Sequence, residues 1–251
     1  MYHDINKNDF SKFEKQIKIF KNDGWKFINP GSLENILKKE IIDKKILLTF
    51  DDGFFSNYLV EKKILSKYKI KAAYFIPYKF MVQKNKKNCL KFIKYRLGIN
   101  NYDYPYTSKL NCNLRDIIEL DKKKHVIGFH TKNHLNLSKI KSKKKLKDEI
   151  AGKINPKLKR IILKNKFFSY PFGKIEDISK SSYQIAKKEY DFIFLGIRGE
   201  NNIKNIKSRV FFRDNFSVDY DKKMTLSILN GFFDIFYIIK RKKIFKNYIH
   251  Q

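Results

Sequence analysis

Three short runs in this chain combine residue types that can bind a metal, move a proton or hold an oxyanion. The first is Thr49-Phe50-Asp51-Asp52-Gly53, in which two adjacent carboxylates leave an apolar stretch. Burying a charge without a partner is costly, so a pair at such a place calls for a reason. As the chain turns at Gly53 the side chains can diverge, one facing a metal and the other a substrate. Asp-Asp-Gly is also an ordinary turn, and the pair could simply cap the next helix. The second run is Gly128-Phe129-His130-Thr131-Lys132-Asn133-His134, with two of the chain's five histidines four residues apart. That spacing puts both imidazoles on one side of a helical turn or compact loop, as a two-histidine metal site requires. With one carboxylate added, the set becomes a two-His, one-Asp face with open positions for water and substrate. The third run, Ser169-Tyr170-Pro171-Phe172-Gly173, reads as a strand ending in a rigid turn, where proline fixes one dihedral and glycine frees another. Such a turn can hold a backbone N–H towards a reacting carbonyl. Alone, it is no more than a loop.

Each run follows a short apolar segment. The periodicity predicts strands over 45–50, 72–76, 125–129, 167–170, 191–195 and 210–212. Between them lie helical patterns. Phe10, Phe13, Ile17 and Phe20 recur at helical spacing and stop at Asp23-Gly24, and Ser32 is placed to cap a short helix through Leu37. Further helices are predicted over 57–68, over 114–123 with Asn113 as cap, and over 178–189. A Lys-rich helical region starts at Ser142 and breaks at Asn155-Pro156. Strand–helix alternation means a parallel sheet with helical crossovers, open or closed into a barrel, with catalytic groups at the C-terminal ends of the strands. Residues 79–112 lose the pattern and read as a long loop or insertion with a short helix of its own. No linker or internal repeat divides the chain.

The chain has 251 residues, 42% hydrophobic and 16% aromatic, which fills a sizeable core and excludes general disorder. Against 25 acidic residues stand 56 basic ones, a formal +31. Such a surface attracts phosphate, anionic lipid headgroups or acidic glycans. The basic residues are spread along the chain, however, as a uniform compositional bias would spread them. Cys89 and Cys112 make neither a disulfide framework nor a cysteine zinc site. No run of eighteen apolar residues is present, and Met1-Tyr2-His3-Asp4 opens without an apolar leader, so the expected address is the cytoplasm.

Taken together and in order, the strings Leu48-Thr49-Phe50-Asp51-Asp52-Gly53, Ile127-Gly128-Phe129-His130-Thr131-Lys132-Asn133-His134 and Tyr170-Pro171-Phe172-Gly173 resemble the polysaccharide deacetylases, the NodB-homology or family 4 carbohydrate esterases. Tyr2-His3-Asp4-Ile5 is similar to the opening strand of a circularly permuted branch acting on poly-N-acetylglucosamine. The likeness runs from residue 2 to about residue 215 and is weakest across 79–112. It implies an α/β fold, a distorted (β/α) barrel in a single domain over 1–215; beyond it, 216–251 is expected to be a C-terminal helix and basic tail packed on the barrel. It further implies one divalent ion, zinc by default with iron, cobalt or nickel as alternatives, held by Asp52, His130 and His134. Asp51 is then the general base, and the Tyr170 N–H contributes to the oxyanion hole. The implied activity is hydrolysis of the N-acetyl group of an amino sugar. Two departures stand out. Ser169 occupies the place where many members carry the arginine that orients the base, and Arg209 or Arg213 could substitute. No histidine lies between His134 and His250, so the usual acid is missing from its usual place.

A departing amine needs a proton donor near neutral pKa. His125 begins the strand that ends at His130, about 16 Å away at 3.3 Å per residue, and His250 is penultimate in a basic tail. His3 is left, at the end of a short first strand, and the permuted branch likewise brings its acid from the N-terminus. In the tail, Ile228, Leu229, Phe232, Phe233, Ile235 and Phe236 open an apolar stretch followed by Lys240-Arg241-Lys242-Lys243. It either closes the barrel as a packed helix or lies peripherally on the inner face of an anionic membrane. A cytoplasmic enzyme would act on a nucleotide- or lipid-linked precursor or an intracellular glycan, and the basic surface would suit a phosphate-bearing carrier. Two other classes stay open: a non-catalytic glycan-binding relative, against which the intact Asp and His set argues, and a nucleic-acid-binding protein. The latter rests on charge alone, since no recognition motif appears.

Overall fold

The computed structural model describes residues 1–38, 44–102 and 109–249. Among these, strands β1 (Lys26–Phe27) and β2 (Lys45–Ile46) pair in parallel as a small ribbon. Strands β3 (Thr49–Phe50), β4 (Ala73–Ile76), β5 (Val126–Phe129), β6 (Phe167–Ser169), β7 (Phe192–Phe194) and β8 (Val210–Phe211) form one parallel sheet in chain order. Every crossover carries a helix, so the sheet is covered and curls into a distorted (β/α) barrel. The N-terminal dipeptide links its two edges. Tyr2 N–H donates to Thr49 O and Asp51 N–H donates to Tyr2 O, both at 2.9 Å. On the other side, Phe216 N–H donates to Met1 O at 2.9 Å and the Met1 nitrogen to Asp214 O at 2.8 Å.

Strands buried on both faces read as continuous apolar runs, which is why six of them were visible in the sequence. Alternate residues separate the two faces. Ala73, Phe75, Val126, Phe167, Phe194 and Phe211 fill the barrel interior, while Tyr74, Ile76, Ile127, Phe129 and Phe168 pack under the helices. Gly128 sits in register with Phe75, and a Cβ there would lie 2.5 Å from the Phe75 ring. Only glycine lets that ring occupy the barrel centre.

The helices follow their signals with shifted ends. The first spans Phe10–Asn22 and buries Phe13, Ile17 and Phe20. Asn113 and Asp116 form a capping box at the head of Leu114–Lys122, Ser142 caps Lys143–Ala151, and Asn155 with Pro156 starts Pro156–Leu163. The helix expected over 57–68 is Phe55–Val60, continuing with a wider coil through Glu61–Leu65. Three expectations need correction. The strand predicted over 45–50 is two strands, because Lys45–Ile46 pairs with β1 and Thr49–Phe50 changes partner to β4. Ser32 lies inside a one-turn helix, Pro30–Ser32, whose cap is the Asn29 side chain. The stretch 79–112 is mostly helical where described, with Tyr78–Met81, Lys86–Phe92 and Ile93–Leu97 closing over Phe54, Phe80, Phe92 and Leu110. Its residues 103–108, like His250, lie outside the described residues. Cys89 and Cys112 are buried free thiols.

The C-terminal segment is broken rather than one closing helix: Lys222–Leu229, a turn at Gly231, Asp234–Tyr237 and Ile238–Ile244. Ile228 and Ile244 anchor it to the core, and the Tyr248 hydroxyl donates to Ile178 O at 2.9 Å.

Candidate metal and catalytic centre

Parallel register brings the C-terminal ends of β3, β5, β6 and β8 together, and with them the candidate residues. Asp52, His130 and His134 are all buried, and one donor atom from each lies within 4.8 Å of the others. His130 Nε2 is 3.5 Å and His134 Nε2 3.3 Å from Asp52 Oδ1. That oxygen is buried with no hydrogen-bond partner. The opposite ring nitrogens explain the arrangement. His130 Nδ1 lies 2.8 Å from Ser169 O and His134 Nδ1 2.9 Å from Arg96 O. A carbonyl only accepts, so each Nδ1 carries a hydrogen, and in the neutral imidazole each Nε2 is left with a lone pair turned towards Asp52. Three acceptors facing one another repel unless a cation lies between them. The residues present therefore fit a divalent ion.

The electrostatics agree. Burial opposes charge on Asp52, yet the two histidines hold it well below the usual carboxylate range. Burial also works against a charged His134, but Asp52 raises that group above its ordinary value. The pocket demands a positive charge beside Asp52, which a proton or a metal ion can supply.

Asp51 occupies a different environment. Arg213 grips it with both nitrogens, Nη1 to Oδ1 at 2.7 Å and Nη2 to Oδ2 at 2.8 Å, and Nη2 also donates to Ser169 Oγ at 2.7 Å. The Ser169 hydroxyl in turn donates to Asp51 Oδ2 at 3.2 Å. Burial pushes the Asp51 carboxyl up, but Arg213 and then His130 outweigh it and hold the group below its usual value. Asp51 is thus an ionised acceptor, 3.8 Å from His130 Nε2. Arg213 is braced by Leu195 O at 3.2 Å and lies over the Phe75 ring at 5.1 Å. Of the two substitutes considered for the arginine missing before the Pro-Phe-Gly turn, Arg213 takes the place. Arg209 pairs with Glu34 at 2.9 Å instead.

The turn after β6 corrects another expectation. The Tyr170 N–H does not face a reacting carbonyl, because it donates to Phe194 O at 3.1 Å and extends the β6–β7 ladder. Pro171 has no N–H, so the next amide is that of Phe172. This residue adopts φ +62° and sets its half-exposed ring 5.0 Å from the His134 ring. Gly173 follows at φ +68°, where a Cβ would lie 2.3 Å from the Gly196 nitrogen. Asp52, Thr131 and His134 also have positive φ, so four non-glycine residues of the site sit in a strained region of backbone space. Such strain persists only where surrounding contacts impose it. Here the Thr131 hydroxyl accepts the His134 N–H at 3.0 Å, and Glu149 accepts from the backbone N–H and the side-chain amide of Asn133.

His3 follows directly on Tyr2, which bridges in parallel to Phe50, and is half-buried, near enough to Asp51 and Asp52 to bear on both electrostatically. His125 sits at the opposite end of β5, accepting the Ala72 N–H at 3.1 Å with Glu61 3.5 Å away.

A curled parallel sheet whose C-terminal ends gather a buried Asp-His-His cluster beside an arginine-held carboxylate defines an α/β-barrel enzyme with a candidate metal centre. The chain belongs to the polysaccharide deacetylase family, whose model matches residues 38–190, more than half of its length. It is accordingly a hydrolase acting on carbon–nitrogen bonds other than peptide bonds, directed at a glycan. Among solved structures it is similar to the deacetylase PplD of Streptococcus pyogenes, at 19% identity and a TM-score of 0.66 over 90% of this chain and 93% of that one. IcaB from Ammonifex degensii matches at 19% identity and a TM-score of 0.60, over 83% of this chain and 84% of the other. A de-N-acetylase from Aggregatibacter actinomycetemcomitans matches at 17% and 0.62, over 84% and 86% of the two chains. At these identities the likeness shows the fold. No curated protein sequence matches significantly.

Proposed function

We propose that the chain removes the acetyl group from an N-acetylated amino sugar within a glycan or its nucleotide- or lipid-linked precursor. In this reading Asp52, His130 and His134 hold one divalent ion, of which zinc suits the donor set. The observation that carries it is the partnerless Asp52 oxygen facing two imidazole lone pairs in a buried pocket. When bound, such an ion supplies Lewis acidity and brings the pKa of a coordinated water towards neutrality. Asp51, ionised and fixed by Arg213, takes a proton from the attacking water. The Phe172 N–H is the turn's available donor for the oxyanion, in place of the Tyr170 N–H. His3 donates a proton to the leaving amine, without which the amine is a poor leaving group.

The test pairs two variants on acetyl-sugar substrates with acetate release and elemental analysis. His130→Ala is expected to lose both metal and turnover. His3→Ala is expected to keep stoichiometric metal, to lose roughly 10²–10⁴-fold in turnover and to lose the alkaline limb of its pH–rate profile. Full metal content and turnover in His130→Ala would remove the metal site, and unchanged turnover in His3→Ala would remove the acid.

A further inference from the structure

Residues 232–239 expose most of their large apolar side chains. Phe232, Ile235, Phe236 and Ile239 are between 66% and 73% exposed. Two charged residues of the same segment, Asp234 and Arg241, point inward instead. Asp234 and Arg241 pair at 3.1 Å with both side chains largely buried. Asp234 also accepts the Glu200 N–H at 2.7 Å, and Arg241 donates to Arg198 O at 3.3 Å. The Arg198 guanidinium in turn lies 5.6 Å from the Phe233 ring. These contacts hold the tip in a conformation that presents its apolar side chains to the outside. A segment serving only to close the barrel would do the reverse. Contiguous exposed apolar patches of this kind mark interaction sites in soluble chains.

The surroundings say what the tip meets. Lys240, Lys242, Lys243 and Lys246 follow directly and are all exposed, while Arg241 is already engaged. With a net charge of +31, two copies of the chain brought together at this basic rim would repel. An exposed apolar tip followed directly by four exposed lysines is complementary to an anionic lipid surface. There, aromatic and aliphatic side chains enter the headgroup–acyl boundary and each lysine meets a negative headgroup. The tip also lies outside the segment that matches the family. Its anchor, Arg198 to Glu200, leaves the C-terminal end of β7, the end at which the candidate centre opens.

We propose that residues 232–243 are a docking surface for an anionic lipid bilayer, which turns the mouth of the active centre towards the membrane. The inference does not depend on the assignment of the acid or the metal. Flotation of the full chain with phosphatidylglycerol–phosphatidylcholine vesicles, against phosphatidylcholine alone, tests it. Binding is expected to the anionic vesicles and to weaken with salt. The double variant Phe232→Ser/Phe236→Ser should lower it at least tenfold, and each Lys→Gln change at 240, 242 or 243 about fivefold. Both kinds of variant should keep the far-ultraviolet dichroism and acetate release of the parent. No flotation at low salt, equal binding to neutral vesicles, or flotation indifferent to the serine pair would overturn the proposal. So would concentration-dependent self-association that the serine pair abolishes, since the tip would then belong to a second copy.

Discussion

Two adjacent aspartates separate into two roles because their partners differ in kind. Asp52 faces lone pairs, and Asp51 faces a guanidinium. The pairing with Arg213 was only half legible in the sequence. Arg213 follows a predicted strand at its C-terminal end, the same signal that singled out Asp51 and His130, whereas Arg209 precedes that strand. Strand direction therefore could have chosen between them. Nothing in the residue string could show that the Tyr170 N–H is consumed by the sheet, since a ladder bond depends on where a neighbouring strand ends. The Arg213–Asp51 pair makes a sharp prediction. Asp51 is held below its unfolded value near 3.9, so the pair's contribution to stability is complete above that value and disappears as pH falls through the lower folded one. In Arg213→Met the largest influence opposing burial is gone and only the histidines remain against it, so the Asp51 value moves up. Turnover is expected to fall at least tenfold, with the acidic limb of the pH–rate profile moved to higher pH and metal content unchanged. Stability should drop by about 3–5 kcal/mol near neutrality, the usual result of stranding one member of a buried pair. Arg213→Lys should recover part of the turnover and not the two-pronged geometry. An acidic limb in the parent position would show that Arg213 does not set the state of Asp51.

The sheet was legible as an element because burial on both faces leaves its strands uniformly apolar. Its boundaries were not, because hydrogen-bond partners rather than composition decide where β2 ends and β3 begins. The helical cap at Asn113 was readable for the opposite reason: a side-chain cap is a local bond between residues two or three apart. The insertion around Lys86–Leu97 hid its helices behind lysine and asparagine, and one of its carbonyls, on Arg96, orients a candidate ligand. Between element and site stands Phe75. Its ring fills the barrel opposite Gly128 and carries Arg213 on its face. Gly128→Ala would drive a methyl into that ring at 2.5 Å. Overpacking of this sort costs about 1–3 kcal/mol, a fall in Tm of roughly 2–12 °C for a chain of this size. The displaced ring should also loosen Arg213, so turnover is expected to fall more than metal content does. Thermal unfolding and elemental analysis of the variant check both, and a Tm equal to the parent's would show that the ring has room to yield.

For the whole molecule, a bound ion would do more than chemistry. Asp52 follows β3 and the two histidines follow β5, so an ion held by all three ties together loops on either side of β4. Anything that binds only the folded chain stabilises it, by about 2.7 kcal/mol at a hundred times its dissociation constant. Chelation should therefore lower Tm, by roughly 5–11 °C on that basis for a chain of this length. The dependence on pH follows from His134. Its folded pKa is raised by Asp52, so without metal a proton occupies the pocket up to a higher pH than an ordinary histidine would allow. Proton and ion compete for the same lone pair. The metal-dependent part of Tm is accordingly full above the raised His134 value and shrinks as pH falls through it, with protons released on binding in that window. The apoprotein shows the reverse sign: the proton's own contribution from His134 is complete below the unfolded histidine value and is lost as pH rises through the folded one. Scans with and without chelator between pH 5 and 9 should thus converge at the acid end and separate at the alkaline end. Asp52→Asn removes the charge that both cations seek, so it should abolish the separation, while His3→Ala should leave it intact. Curves that separate most at low pH would mean that the ion does not bind at His134.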